Sequence, residues 1–115
     1  MLRGDIYLVD LEPTRGAEAD KQRPAVIVSN AGTNRIVSER NWGVLNVVPL
    51  TSNVDRVHRF QVFLPAEETG LDEDSRAQAE QVRAVAIGRF DDKLGHVPPL
   101  LMRQIDQALR VQLAL

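Results

Sequence analysis

Residues 24–29 read PAVIVS, a proline followed by a nearly continuous apolar run. A short apolar stretch of this kind fits a strand buried on both faces, or one that curls into a barrel. Pro24 stands at its first position, where a missing N–H is tolerated. Upstream, residues 5–11 read DIYLVDL, rich in β-formers, and predict a first strand. The intervening EPTRGAEADKQ (12–22) carries Pro13 and Gly16 without apolar periodicity, and reads as a loop. Downstream, residues 30–42 read as a second polar loop, with Gly32, Thr33 and Asn34 as turn material. GVLNVVPL (43–50) predicts a third strand, and residues 54–59 a polar loop. Residues 60–64 alternate as a fourth strand, with Phe60, Val62 and Leu64 on one face.

Residues 65–74 hold five acids and a glycine and predict a solvated turn. Through 75–86, small and apolar residues interleave with Gln78, Glu80, Gln81 and Arg83. Helix and strand compete there, and a strand pair broken near Glu80 is the reading taken. Pro98 and Pro99 suit a helix start, after which Leu101, Ile105, Ala108, Leu109 and Leu113 recur at helical spacing. Several short strands and a terminal helix predict a mainly β protein. The expected form is a small, mostly antiparallel barrel carrying a C-terminal α-helix, rather than alternating βαβ units.

The 115 residues are read as one domain, 1–115. With 43% hydrophobic and 26% charged residues, the composition is that of a globular protein able to bury its own core. There is no cysteine, which excludes a disulfide scaffold, a thiolate metal site and a cysteine nucleophile. No apolar run approaches the roughly 20 residues of a membrane span, and the first ten residues lack the apolar stretch of a signal peptide. A cytoplasmic protein without membrane contact is expected. The net charge is −2, split as +1 over residues 1–60 and −3 over 61–115. That leaves room for a local basic patch such as Arg15, Lys21 and Arg23. Only three Phe, one Trp and one Tyr are available for stacking, which counts against a stacking-platform RNA binder.

Conventional catalytic motifs are absent: the chain has no GxGxxG, P-loop, HExxH or GxSxG. His58 and His96 lack companions at metal-ligand spacing and read as surface or loop residues. The acids Glu67, Glu68, Asp72, Glu73 and Asp74 lack calcium-loop spacing and read as a solvated turn. What remains is polar residues beside strand ends. Arg23 precedes PAVIVS, and Thr51-Ser52-Asn53 follow GVLNVVPL. A planar, permanently charged guanidinium suits phosphate, and a threonine hydroxyl can donate to a phosphate oxygen. The competing reading is a surface arginine before a proline and an ordinary Thr-Ser-Asn turn. A polar face at Gln78, Glu80, Gln81 and Arg83 could read base edges, form an interface or be solvated. Trp42 could stack on a base or close the edge of a core.

Taken in order, RGDIYLVDL (3–11), QRPAVIVSN (22–30), VVPLTS (47–52), TGLDEDSRAQAEQVRAV (69–85) and the closing IDQALRVQLAL resemble the MazF/PemK family of toxin endoribonucleases. The likeness spans almost the whole chain. It implies an SH3-like barrel of the CcdB/PemK type, five- to seven-stranded, with a C-terminal helix and assembled as a homodimer. It further implies growth inhibition by sequence-selective cleavage of single-stranded RNA, without metal or cofactor. The family's arginine falls on Arg23 and its threonine on Thr51, the catalytic pair. Arg15, Glu18, Lys21, Ser52, Gln78 and Gln81 are the expected RNA contacts. Where many relatives have a serine after the loop glycine, this chain has Ala17.

The resemblance also implies a cognate, MazE-like antitoxin with an acidic C-terminal tail. In the expected chemistry the RNA's 2′-OH is the nucleophile, and the products are a 2′,3′-cyclic phosphate and a 5′-OH. Arg23 would meet the charge on phosphorus and Thr51 a non-bridging oxygen. Glu18 or water is the candidate base, since a guanidinium hardly deprotonates. Two other readings remain: a CcdB-like gyrase-poisoning toxin, disfavoured because the chain ends VQLAL with its Trp at position 42, and a non-catalytic barrel that binds antitoxin.

Overall fold

The structure, a computed structural model, describes residues 1–12, 16–17 and 22–115. Its strands are β1 (Asp5–Asp10), β2 (Gln22–Ile27), β3 (Val44–Thr51), β4 (Gln61–Leu64), β5 (Ser75–Gln78), β6 (Arg83–Ala86) and β7 (Phe90–His96). The helices are α1 (Ala31–Arg40), a single turn α2 (Ala66–Thr69) and α3 (Pro99–Leu113). Among the described residues the strands form one sheet in the order β4-β5-β3-β2-β1-β7, with β6 beside β3. Every pairing is antiparallel. The sheet curls without closing, since β4 and β7 end its path. The expected mainly β fold with a C-terminal helix is therefore correct, in an open, barrel-like form.

β2 and β3 lie at the centre and are buried on both faces over Ala25–Ile27 and Val47–Leu50, which explains the apolar runs there, whereas Val44 and Asn46 at the start of β3 are exposed. Val26, Val48 and Leu50 join a cluster with Ile6, Val62 and Leu64, covered by Met102, Ile105 and Ala108 of α3. Ala25, Ile27 and Val47 face the other way, against Val9, Leu11, Leu45, Val85 and Val37 of α1. Helix α3 begins at Pro99, as its sequence predicts, with Ile105 and Ala108 buried. Leu101 and Leu109 pack partly buried against the same cluster. Leu113 stays exposed. Arg3 ties the helix down: its Nη2 is 2.7 Å from Asp106 Oδ1, and its Nε donates to the Val28 carbonyl at 2.9 Å.

Three elements depart from the sequence expectations, and one of the two readings of Trp42 falls. Residues 31–40, expected within a loop, are helix α1. The Asn30 side chain caps it by accepting the Thr33 N–H at 2.8 Å, and Asn41 ends it in the left-handed conformation (φ 50). The helix escapes an apolar-period reading because its buried residues are Asn34 and Val37. Asn34 is satisfied internally, donating to the Ser29 carbonyl at 2.8 Å and accepting the Ser29 hydroxyl at 2.5 Å. Residues 90–96, not anticipated, form β7. Trp42 does not close a core edge but stands 79% exposed. Part of the acidic 65–74 segment winds into α2, although its acids are exposed as expected. The break near Glu80 is present as a 3-10 turn, Ala79–Gln81, between β5 and β6.

Candidate functional site

The β2–β3 pairing runs through Ile27–Val47, Val26–Val48 and Ala25–Pro49, and then the two strands part. Beyond that point β2 stays with β1, where Pro24 faces Leu8 and Arg23 faces Val9. β3 turns instead to β5, where Leu50 faces Ala77 and Thr51 faces Arg76. Pro24 and Pro49, neither of which has an N–H to offer, stand at the fork. A groove of about 540 Å³ opens there.

Gln22, Arg23 and Pro24 form one lip of the groove, and Leu50, Thr51 and Ser52 form the other. The far wall is Gly70–Glu73, with Ser75 and Leu94. That wall is held in place locally. Gly70 ends α2 at φ 83, where a side chain would be strained, and returns its N–H to the Ala66 carbonyl at 3.0 Å. A Cβ at Gly95 of β7 would collide with the Thr69 carbonyl oxygen, so glycine there allows the close approach.

The groove therefore brings together Arg23, Thr51 and Ser52, three of the expected site residues. Arg23 and Thr51 are half-buried and Ser52 exposed. The Thr51 Oγ1 accepts the Asn53 N–H at 3.3 Å, which orients it and leaves its own O–H to donate outward. Gln78 and Gln81 do not line the groove. Gln78 lies on β5 opposite Gln61, and Gln81 sits in the 3-10 turn, its Nε2 donating to the Ala17 carbonyl at 2.9 Å. Arg15, Glu18 and Lys21 lie outside the described residues.

Asp72 and Glu73, read from sequence as part of a solvated turn, are also a wall of the groove. No local pattern marks them as such, because their place depends on how α2 packs against the fork. Arg76 lies opposite Thr51 in the β3–β5 pairing but does not line the groove. The groove is thus bipolar, cationic at Arg23 and anionic at Asp72 and Glu73. Among the described residues, a permanent cation on one lip and a hydroxyl donor on the other make an arrangement that can hold an anionic ester and stabilise added charge on it.

A curled, open antiparallel sheet with a C-terminal helix defines a small, mainly β, barrel-like protein, with a groove where its two central strands part. A family model described as "PemK-like, MazF-like toxin of type II toxin-antitoxin system" matches residues 2–113, and the chain belongs to that family. It is 48% identical over 115 residues to "Endoribonuclease MazF9" of Mycobacterium tuberculosis, covering 100% of this chain and 98% of the relative. It is 31% identical over 114 residues to "Endoribonuclease EndoA" of Bacillus subtilis, covering 98% and 94%. Among solved structures, an "Endoribonuclease in complex with its cognate antitoxin from Mycobacterial species" superposes with a TM-score of 0.77 at 26% identity, covering 100% of this chain and 96% of that one.

Proposed function

We propose that the protein is the toxin of a toxin–antitoxin pair and cleaves single-stranded RNA, mRNA included, selectively by sequence at the β2–β3 fork. The observation that carries this reading is the placing of Arg23 and Thr51 on the two lips of one groove. RNA supplies its own nucleophile. The 2′-oxygen attacks phosphorus, the P–O5′ bond breaks, and a 2′,3′-cyclic phosphate and a 5′-OH result. A base, Glu18 or water, takes the 2′-hydroxyl proton, and a proton returns to the departing 5′-oxygen. Arg23 faces the charge that grows on the non-bridging oxygens, and the Thr51 O–H donates to one of them. Neither step calls for a metal-activated water, so the reaction is metal-independent.

Ser52, Gln78 and Gln81, with Arg15 and Lys21 between β1 and β2 in the sequence, are the proposed contacts to flanking nucleotides. Two further elements complete the reading. An acidic antitoxin tail neutralises the toxin, and a second copy of the chain covers the exposed Ile36, Trp42 and Val44. The decisive experiment is purified protein on a long unstructured RNA in EDTA. Defined fragments with cyclic phosphate and 5′-OH ends are expected. Activity that disappears in EDTA and returns with Mg²⁺, or 5′-phosphate ends, would show the mechanism to be wrong.

A further inference from the structure

Among the described residues, the buried side-chain polar atoms without a hydrogen-bond partner are Ser38 Oγ, Arg76 Nε, Gln78 Oε1 and Glu80 Oε1. Three of these fall on alternate residues of one segment. Ser75, Ala77 and Ala79 of that segment turn into the core, while Arg76, Gln78 and Glu80 lie half-buried on the opposite face. Glu80 is partly satisfied, its Oε2 accepting the Gln61 Nε2–H at 2.6 Å. Arg76 is not satisfied in the same way. Its Nη1 donates to the Arg56 carbonyl, but its Nε–H has no acceptor. The buried Nε–H is closed to an incoming ligand, but the side chain is only half-buried and its guanidinium end lies at the surface, where a permanently charged planar fork can meet a phosphate.

The register says where that anion would lie. Arg76 faces Thr51 of β3 on one side and Phe63 of β4 on the other. Directly opposed residues in a sheet share a face, with Cβ atoms roughly 5 Å apart. A hydroxyl, a guanidinium and a 40% exposed aromatic ring therefore form one row leading away from the fork. Charge favours the same direction. The far wall of the groove presents Asp72 and Glu73, whereas the loop over the Arg76 side carries the exposed Arg56 and Arg59, offset by Asp55.

We propose that Thr51, Arg76 and Phe63 lay out a path to a second nucleotide subsite, in which Arg76 binds the phosphate next to the scissile one and the Phe63 ring stacks on the adjoining base. The inference rests on the assignment of the cleavage site to Arg23 and Thr51. It adds a contact that does no chemistry and acts only on binding. RNA leaves the fork over β5, and Asp72 and Glu73 repel it from the other side.

The test is a cycle between the protein and the substrate. In a short RNA that the protein cleaves, each non-scissile phosphate is replaced in turn by an uncharged methylphosphonate, and each RNA is given to wild type, Arg76→Met and Arg76→Lys. With wild type, one phosphate beside the cleaved bond should matter, its neutralisation raising KM roughly 10-fold or more with kcat within about twofold. In Arg76→Met that substitution should cost nothing further, because both changes remove the same contact. Arg76→Lys should recover part of the loss. Phe63→Leu should raise KM by roughly 5-fold or more. The logarithmic salt dependence of binding should flatten by about 0.7 in Arg76→Met.

Fully additive losses, or a fall in kcat with every substrate, would reduce Arg76 to a tie for the Arg56 loop and overturn the proposal. If wild type cleaves no RNA, the cleavage reading fails instead. The same methylphosphonate series in deoxy-oligonucleotides, scored by binding to wild type and both Arg76 variants, then decides the subsite on its own.

Discussion

Asp5 Oδ1 lies 2.8 Å from His96 Nδ1 across the β1–β7 pair. An ionised carboxylate only accepts, so the ring carries a hydrogen on Nδ1. The same oxygen is 3.4 Å from Lys93 Nζ, and Oδ2 accepts the Leu2 N–H at 2.9 Å. Burial pushes this carboxyl up, but the Leu2 and His96 hydrogen bonds and the Lys93 charge outweigh it and hold it below the ordinary carboxylate range. A group with a lowered folded pKa adds stability above its unfolded pKa, and that stability is lost as pH falls through the folded value. Wild type should therefore lose stability on acidification below about pH 4. Asp5→Asn should be less stable at pH 7 by roughly 1–3 kcal/mol and show a shallower loss in that acid window. Thermal unfolding of both proteins from pH 7 to pH 2 measures this, and parallel curves would remove Asp5 as the cause.

Arg23→Ala should abolish RNA cleavage in a protein that remains folded. Loss of one charge-stabilising donor typically lowers kcat by roughly 10²–10³. Arg23→Lys should stay strongly impaired, because a point charge cannot reproduce the planar fork. Thr51→Val keeps the shape but loses the donated O–H, and should also lower kcat. Circular dichroism and single-turnover cleavage on the same preparations separate folding from chemistry. Near-wild-type cleavage by folded Arg23→Ala would sink the assignment.

The two central strands were legible because both faces are buried over Ala25–Ile27 and Val47–Leu50, so AVI and VVPL leave no position polar. Helix α1 was not legible, because it buries an asparagine where an amphipathic helix would bury a leucine; its local sign was the Asn30 cap. β7 reads FDDKLGH and is largely exposed, so its strand state rests on pairing with β1 and on the close approach at Gly95. At the site, Arg23, Thr51 and Ser52 could be picked out as polar residues at strand ends. That the two ends part to make a groove, and that Asp72 and Glu73 wall it, are tertiary facts without a local signature.

Trp42 is the chain's single tryptophan and reports on the proposed homodimer directly. It sits between the end of α1 and the start of β3, with the exposed Ile36 and Val44 close by in sequence. Association through this surface should shift Trp42 emission to the blue as protein concentration rises, in step with a doubling of mass by light scattering. A large aromatic at the centre of an interface commonly contributes 2 kcal/mol or more, so Trp42→Ser should weaken association by roughly 30-fold or more. A dimer whose tryptophan emission stays that of an exposed indole would place the interface elsewhere.

The proposed antitoxin can be tested through the groove it would occupy. Arg23 at the fork and the exposed Arg56 and Arg59 on the loop after β3 offer cations to carboxylates as readily as to phosphates, and Arg15 and Lys21 lie between β1 and β2 in the sequence. An acidic tail that folds on binding can cover such a surface with a short chain. Its carboxylates then replace the RNA's phosphates, and the two ligands exclude each other. Binding of the tail should weaken as salt rises, because its charged contacts are screened. Arg23→Ala should bind both ligands less tightly, whereas a variant altered only at Trp42 should lose neither competition nor salt dependence. Titration of a labelled, non-cleavable RNA with antitoxin at two salt concentrations measures this. An antitoxin complex that still binds that RNA with unchanged affinity would refute the shared groove and leave the nuclease assignment standing.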